Sequence, residues 1–318
     1  MKLIPVVYEH AAHFLGRRPW DVSRDRSLLR EAHAEAYRAY RQDPLVVGID
    51  VYSVECEAYG GTIGDTGGNE VPASIPWLEG AIRIPGLRRY SVERDGRFPM
   101  VLETARKLRE DFPEAAVVVP LNGPFSIAVG MLGFQNLLIE LMSDPEPVSA
   151  ALNWLAEGQA MAVEEIAAHG LDVVFFESGS APPLVSPHLF RQVLHPPLKS
   201  ALRPGRDGTI PPLIMGGDTV RILPELLSTG TEYLICPMET DRGKFMEEML
   251  GHPEVTVRMN LTPGVFVGED HERVKEEIKT SVRLAGGRRN TLLGTGVLPY
   301  DANPELVRFA QSYAAAQG

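Results

Sequence analysis

The stretch LMSDPEPVSAALNWLAEGQAMAVEEIAAHGLDVVFFE, residues 141–177, reads as a long helix handing directly to a strand. Val148, Leu152, Leu155, Ala162, Val163 and Ile166 recur at helical spacing, a stripe broken once, by Gln159. Asp144 stands where an N-cap belongs, Pro145 at the first helical position, and Gly170 as the stop. LDVVFFE (171–177) follows as a short strand.

The same alternation continues toward the C-terminus. PLIM (212–215) precedes a helix at about 219–229, TEYLICP (231–237) one at about 242–250, and EVTVRMN (254–260) the run DHERVKEEIKTSVRLAGG (270–287). NTLLG (290–294) precedes a last helix capped by Asn303-Pro304. Ser186-Pro187 opens a further helix, expected to break or end near Pro196-Pro197. On the N-terminal side, residues 26–41 and 98–112 read as helices, and PLVVGIDVYSV (44–54) and AAVVVPLNGPF (115–125) as strands. Between them, residues 55–97 are rich in Gly, Pro and turn residues, the composition of a lid or site wall.

Strands followed by helices must pair in parallel, because a parallel neighbour needs a crossover connection. Without a dinucleotide glycine fingerprint, a chain of 318 residues in this pattern fits an α/β fold of the (β/α)8 TIM-barrel kind better than an open doubly wound sheet. The expectation is one domain over 1–318 with an irregular N-terminal lid region. Seven strands are visible, and the eighth is expected inside the irregular stretch.

Hydrophobic residues make up 44% and charged residues 23%, an ordinary globular balance with a sizeable core. The net charge of −11 argues against nucleic acid or an anionic membrane as the main partner. Arg83, Arg88 and Arg89 form a local basic cluster, a pattern that usually marks a solvated face. Cys56 and Cys236 are the only cysteines, too few for a disulfide scaffold or a Cys-rich metal site. The N-terminus carries no signal-peptide pattern and no run approaches a membrane span, so a cytoplasmic protein is expected.

In such a barrel, function gathers at the C-terminal ends of the strands. Those ends supply Asp50 to Glu57, Asn122-Gly123, Glu177-Ser178, Gly216 to Asp218, Pro237 to Asp241, Asn260 to Thr262, and Gly294 to Tyr300. Carboxylates, amides and glycines dominate and histidine is scarce, which argues against imidazole acid–base chemistry or a three-histidine metal site. Glu177, Glu55, Tyr52, Asp218 and Asn260 are the catalytic candidates. Asn122, Ser178, Gly216, Gly217, Glu239, Arg258 and Tyr300 are the substrate-binding candidates. Asp218 equally suits a helix N-cap, and Asn260 a loop hydrogen bond. Glu177 closes an apolar strand, where a charge must be solvated, paired or functional. Glu55 and Glu57 read as one face of a strand extension, able to bind a cation, to perturb each other, or to face solvent. Gly216 and Gly217 either shape a tight turn or let something large approach the backbone.

PLNGPFSIAVGMLGFQNLLIELMSDPEPV (120–148), ESGSAPPLVSPHLFRQVLHPPLKSAL (177–202), VRMNLTPGVFVG (257–268) and LLGTGVLPYDANPELVRFA (292–310) together resemble the uroporphyrinogen decarboxylase superfamily. The resemblance covers most of the chain and implies a (β/α)8 barrel. That superfamily includes corrinoid-linked methyltransferases, and the present sequence looks most like that branch. The Arg-rich grip on tetrapyrrole carboxylates expected of the decarboxylases is absent from YEHAAHFLGRRPWDVSRD (8–25). The thiol-activating methyltransferases hold zinc with a His-x-Cys-Gly motif and a later Cys. Here Ile214, Gly216 and Gly217 align with the first and Val297 with the last, so every thiol-branch ligand is missing. GIDVYSVECEAYGG (48–61) is similar to a segment of uncharacterised and ether-cleaving members, and in some ether-cleaving members two Glu and one His are thought to bind zinc. Glu55 and Glu70 suit the first two positions, while Ser91 stands at the third. The resemblance implies transfer of a methyl group from a small methylated or methoxylated donor to a corrinoid (cobalamin) carried by a partner protein, with a homodimer as a further expectation. A carboxy-lyase acting on a tetrapyrrole or smaller acid, anchored by Arg258, is one alternative. A non-catalytic corrinoid or small-molecule binding protein is the other.

Overall fold

Each strand of the C-terminal half forms where the hydrophobic pattern places it. In the structure, a computed structural model describing residues 1–317, these are β6 (Asp172–Glu177), β7 (Leu213–Met215), β8 (Tyr233–Cys236), β9 (Thr256–Asn260) and β10 (Thr291–Val297). With β1 (Leu3–Val6), β2 (Leu45–Val46) and β5 (Val117–Asn122) they make one eight-stranded parallel sheet, ordered β1-β10-β9-β8-β7-β6-β5-β2. Read as a ring, this is chain order, the arrangement of a (β/α)8 barrel. No ladder rung joins β1 to β2, so the sheet curls round and leaves a seam.

The eighth strand is therefore at the N-terminus and not in the irregular stretch. LIPV escapes a pattern search because it is four residues long and contains Pro5, which cannot donate to a ladder. The register against β10 shifts between Ile4 and Val6, and the Val6 N–H donates to Thr295 Oγ1 at 3.0 Å. Residues 55–97 instead hold an antiparallel hairpin, β3 (Thr62–Gly64) with β4 (Ala73–Ile75), and a 3₁₀ turn at Ala81–Gly86. The strand read over 44–54 shortens to Leu45–Val46, and Val54–Ala58 is helical.

The helix at Pro187 does not stop at the two prolines. It passes from Pro187–Leu189 through a π turn at Phe190–Leu194 into His195–Ala201. The wider π turn stands where Pro196 and Pro197 withdraw their backbone donors. The long helix runs Pro145–Ala168, and the Asp144 side chain accepts from the Glu146 N–H as its cap. Among the described residues, no single helix is long and apolar enough to cross a membrane.

Strand alternation sorts the core into two layers. Val173 and Phe175 of β6 face the helices, whereas Val174 and Phe176 join Val6, Tyr8, Val51 and Val118 in a cluster inside the barrel.

The turn after β7 answers for only one of its two glycines. Gly217 has φ +94°, and a Cβ there would stand 2.8 Å from Ala181 Cβ and 3.2 Å from the Pro182 carbonyl oxygen. Around Gly216 an added Cβ would meet nothing within 4 Å. We expect Gly217→Ala to lower stability by about 1–3 kcal/mol and Gly216→Ala to change it by less than about 0.5 kcal/mol, read from urea unfolding curves. Equal losses would contradict this division.

Candidate active site

Past β2 the chain leaves the sheet, and two buried polar networks hold it. Helix Val54–Ala58 advances about 100° per residue, so Glu55 and Glu57 diverge, where a strand would have aligned them. Glu55, 1% exposed, accepts from the Asn122 N–H at 2.7 Å, from Asn122 Nδ2, and from Gln159 Nε2 at 3.1 Å. Gln159 also donates to the Asn122 carbonyl at 2.6 Å and accepts from the Tyr90 hydroxyl. Burial raises the Glu55 carboxyl and the Asn122 and Gln159 hydrogen bonds oppose that rise. Gln159, the one interruption in the apolar stripe, is thus a deliberate polar contact, and that interruption was its signal.

Glu57 turns instead to Arg24 and Arg97. Arg97 also grips Asp50 with two parallel bonds of 2.6 Å, and all of Asp50 is 2% exposed. Such a fork-to-carboxylate pair is the strong form of charge-assisted hydrogen bond. Asp50 and Glu57, strand-end carboxylates in the sequence, are structural anchors that fix the irregular segment to the barrel.

Glu177 lies on the helix-facing side of β6, with Phe175, and does not point into the mouth. Its Oε1 accepts from the Ser126 N–H at 3.2 Å. Its Oε2 has no partner and rests against Gly123, where an added Cβ would overlap it at 1.5 Å. With 2% exposure and no counter-charge among the described residues, burial drives this carboxyl well above the usual carboxylate range. Gly123 is therefore glycine to make room for Glu177.

The rim carboxyl that does face the site was missed in the sequence because β1 was missed. Glu9 follows Tyr8 at the C-terminal end of β1, and burial, assisted by the charge of Glu70, raises it to about 7. Tyr52, 41% exposed, lies within electrostatic reach of Glu9 and Glu177 and sets its ring edge on Phe176 at 5.8 Å. Tyr8 meets the same Phe176 at 5.6 Å from inside the barrel. A carboxyl poised near neutrality beside a phenol can deliver or accept a proton at a bound molecule.

The remaining sequence candidates distribute as follows. Asp218 makes no cap bond; it accepts from Thr240 Oγ1 at 3.1 Å and pairs with Arg221 at 2.9 Å. Ser178 donates its N–H to Ser126 Oγ at 2.8 Å. Asn260 accepts from Arg258 Nε at 3.2 Å, so Arg258 points inward from β9. Tyr300 packs on His13 at 5.4 Å, and its carbonyl oxygen meets His10 Nδ1. Glu239 and Glu70 are exposed. Glu55 is held by amides, Glu70 stands on the hairpin and Ser91 binds Glu165, and among the described residues no group of three His, Cys, Asp or Glu converges. Arg88 and Arg89 pair with Asp95 and Glu157, a solvated face.

Fold and rim define a class: a parallel α/β barrel with an acid and a phenol at the C-terminal mouth and no thiol among them. The chain matches the uroporphyrinogen decarboxylase (URO-D) family over residues 3–312 and belongs to it. It is similar to a methylated-thiol–coenzyme M methyltransferase from Methanosarcina mazei, 25% identical over 144 residues, which are 44% of this chain and 38% of that protein. The match thus spans well under two thirds of that relative's length. A solved methyltransferase structure from Methanosarcina mazei superposes with a TM-score of 0.80 at 17% identity, covering 98% of this chain and 94% of that one, which establishes the shared fold.

Two measurements test the site. Arg97→Met leaves Asp50 buried without a counter-charge and is expected to cost about 3–5 kcal/mol in urea unfolding. Glu9 is raised when folded, so the folded state holds its proton longer, and the stability this contributes is lost as pH climbs from about 4.5 to about 7. Relative to Glu9→Gln, the parent protein should lose roughly 3 kcal/mol at most across that window. A flat difference would show that Glu9 titrates normally.

Proposed function

We propose that this protein is a methyltransferase working on the donor side: it takes a methyl group from a small methylated or methoxylated molecule and passes it to a corrinoid carried by a partner protein. Membership of the family and the methyltransferase relatives support methyl transfer as the reaction class. The observation that carries the donor-side reading is Glu9, a rim carboxyl held near 7 beside Tyr52.

A thiol-side route needs a metal to hold a thiolate, and the side chains at the relevant positions (Ile214, Gly216, Gly217 and Val297) offer no ligand atom. Removing a methyl group from oxygen or nitrogen poses the opposite demand. As the carbon–heteroatom bond breaks, its electron pair stays on the leaving atom, which then needs a proton. Glu9 in its neutral form supplies that proton, Tyr52 orients the leaving atom, and water reprotonates Glu9 between turnovers.

A corrinoid, when bound, supplies a nucleophilic metal as the methyl acceptor. The rim suits a flat, apolar-faced macrocycle. Gly216 has open space before it, and Tyr52, Ile75, Leu184, Val267 and Val297 are exposed apolar side chains on segments that leave the C-terminal ends of barrel strands. Buried elsewhere, such residues would need no explanation; together they suit a partner surface. Arg258, the anchor required for carboxy-lyase chemistry, points inward, holds Asn260 and also lines a cavity that reaches the other end of the barrel.

The test is an assay of purified protein with reduced corrinoid protein and a panel of methoxylated and methylated donors, following the cobalt absorbance. Activity should decline as pH rises through about 7, and Glu9→Gln should lower turnover by about 10²–10⁴-fold with KM little changed. No transfer from any donor alongside an active control enzyme would reject the reading, and unaltered turnover in Glu9→Gln would reject the acid.

A further inference from the structure

The barrel interior holds a cation without a counter-ion. Arg258 is 5% exposed, and its one protein hydrogen bond runs from Nε to Asn260 Oδ1. Among the described residues, no carboxylate lies within 4.0 Å of its guanidinium, although Arg97, similarly buried, is paired on three nitrogens. The position is built for the side chain. A Cβ at Gly294 would stand 2.8 Å from Arg258 Cδ, 3.0 Å from its Cγ and 2.7 Å from Asn260 Oδ1, so glycine on the neighbouring strand clears the track along which Arg258 lies. Leaving a buried guanidinium unpaired is costly unless water or a ligand meets its outer nitrogens.

Arg258 lines a cavity of about 350 Å³ whose walls include Val46, Val118, Val174, Ile214, Tyr8 and Tyr233. The Tyr233 hydroxyl is buried and has no partner among the described residues. The cavity opens at the N-terminal rim, past the segment Gly205 to Pro212, the end of the barrel opposite the proposed transfer site. Three carboxylates border it: Asp43 and Asp172 are paired with Lys2 and Arg206, and Asp207 accepts from Thr209. The opening is therefore less negative than its composition suggests.

We propose that this cavity binds a small monocarboxylate with an apolar body, entering from the N-terminal rim, its carboxylate held by the Arg258 guanidinium. A planar fork favours a carboxylate over a spherical anion. One positive charge selects a monoanion, and four aliphatic walls with two phenol rings favour an aliphatic or aromatic body. The volume lies at the small end of ligand pockets. The site is independent of the transfer reaction and stands or falls separately from it.

Benzoate is the probe, with benzyl alcohol and sodium chloride at equal ionic strength as controls, followed by calorimetry and thermal shift. Saturable binding of benzoate, with a rise in Tm that neither control produces, is the expected result. Arg258→Gln should fold with a Tm equal to or above that of the parent, because it removes an unpaired buried charge, and should bind benzoate at least about tenfold more weakly. Thr209→Trp should slow association at least about tenfold, and Tyr52→Ala, on the far rim, should not. Absence of saturable binding, equal protection by chloride, unchanged affinity in Arg258→Gln, or a large drop in its Tm would each overturn the assignment. Slowing by Tyr52→Ala and not by Thr209→Trp would overturn the entry route.

Discussion

A β-strand shows successive side chains to opposite faces, and in a closed sheet those faces are different worlds: a narrow interior and a wide seam against the helices. Nearly every assignment in this protein depends on that alternation. On β6 it sends Phe176 inward and Glu177 outward, so a carboxylate at the very end of a barrel strand is removed from the mouth by one step of pleat. On β9 it sends Val257 and Met259 to the helices and Arg258 to the interior. Two charged residues in equally apolar strands thus have opposite meanings, one wedged behind Gly123 and one facing an open volume.

Where the ladder ends early, ionic chemistry takes over its work. β2 contributes two residues to the sheet, too few to hold the following segment. The Asp50–Arg97–Glu57 cluster and the Glu55–Asn122–Gln159 cluster fasten that segment to β5 and to the long helix. Such networks contribute position more than net stability, since desolvating the charges offsets much of their attraction. They also fix the segment that carries Tyr52 within electrostatic reach of Glu9.

The two ends of the barrel are chemically unlike. At the C-terminal mouth stand a carboxyl raised toward neutrality, a phenol and a border of exposed apolar side chains. Arg258, Tyr8 and Tyr233 line a cavity in the interior that reaches the N-terminal end. The Tyr8, Val51 and Phe176 cluster lies between these regions. The proposed proton delivery and the proposed carboxylate recognition thus call on different side chains.

What the sequence by itself determined is the succession of elements. Helical stripes, N-caps such as Asp144 and Asn303, and short apolar strands from residue 171 onward are local properties, and the structure reproduces them within a few residues. The parallel barrel follows from that succession because strands joined by helices have few other ways to pair. LIPV leaves no local signal because the β10 ladder and the Thr295 hydroxyl that help hold it lie at the far end of the chain, and Glu9 is hidden with it. Only the tertiary structure decided which carboxylates are anchors, which is sealed behind Gly123 and which is poised at the rim. Charge state depends on burial and on partners far away in the chain (Arg97 for Asp50, Gln159 for Glu55), and no local pattern encodes either one.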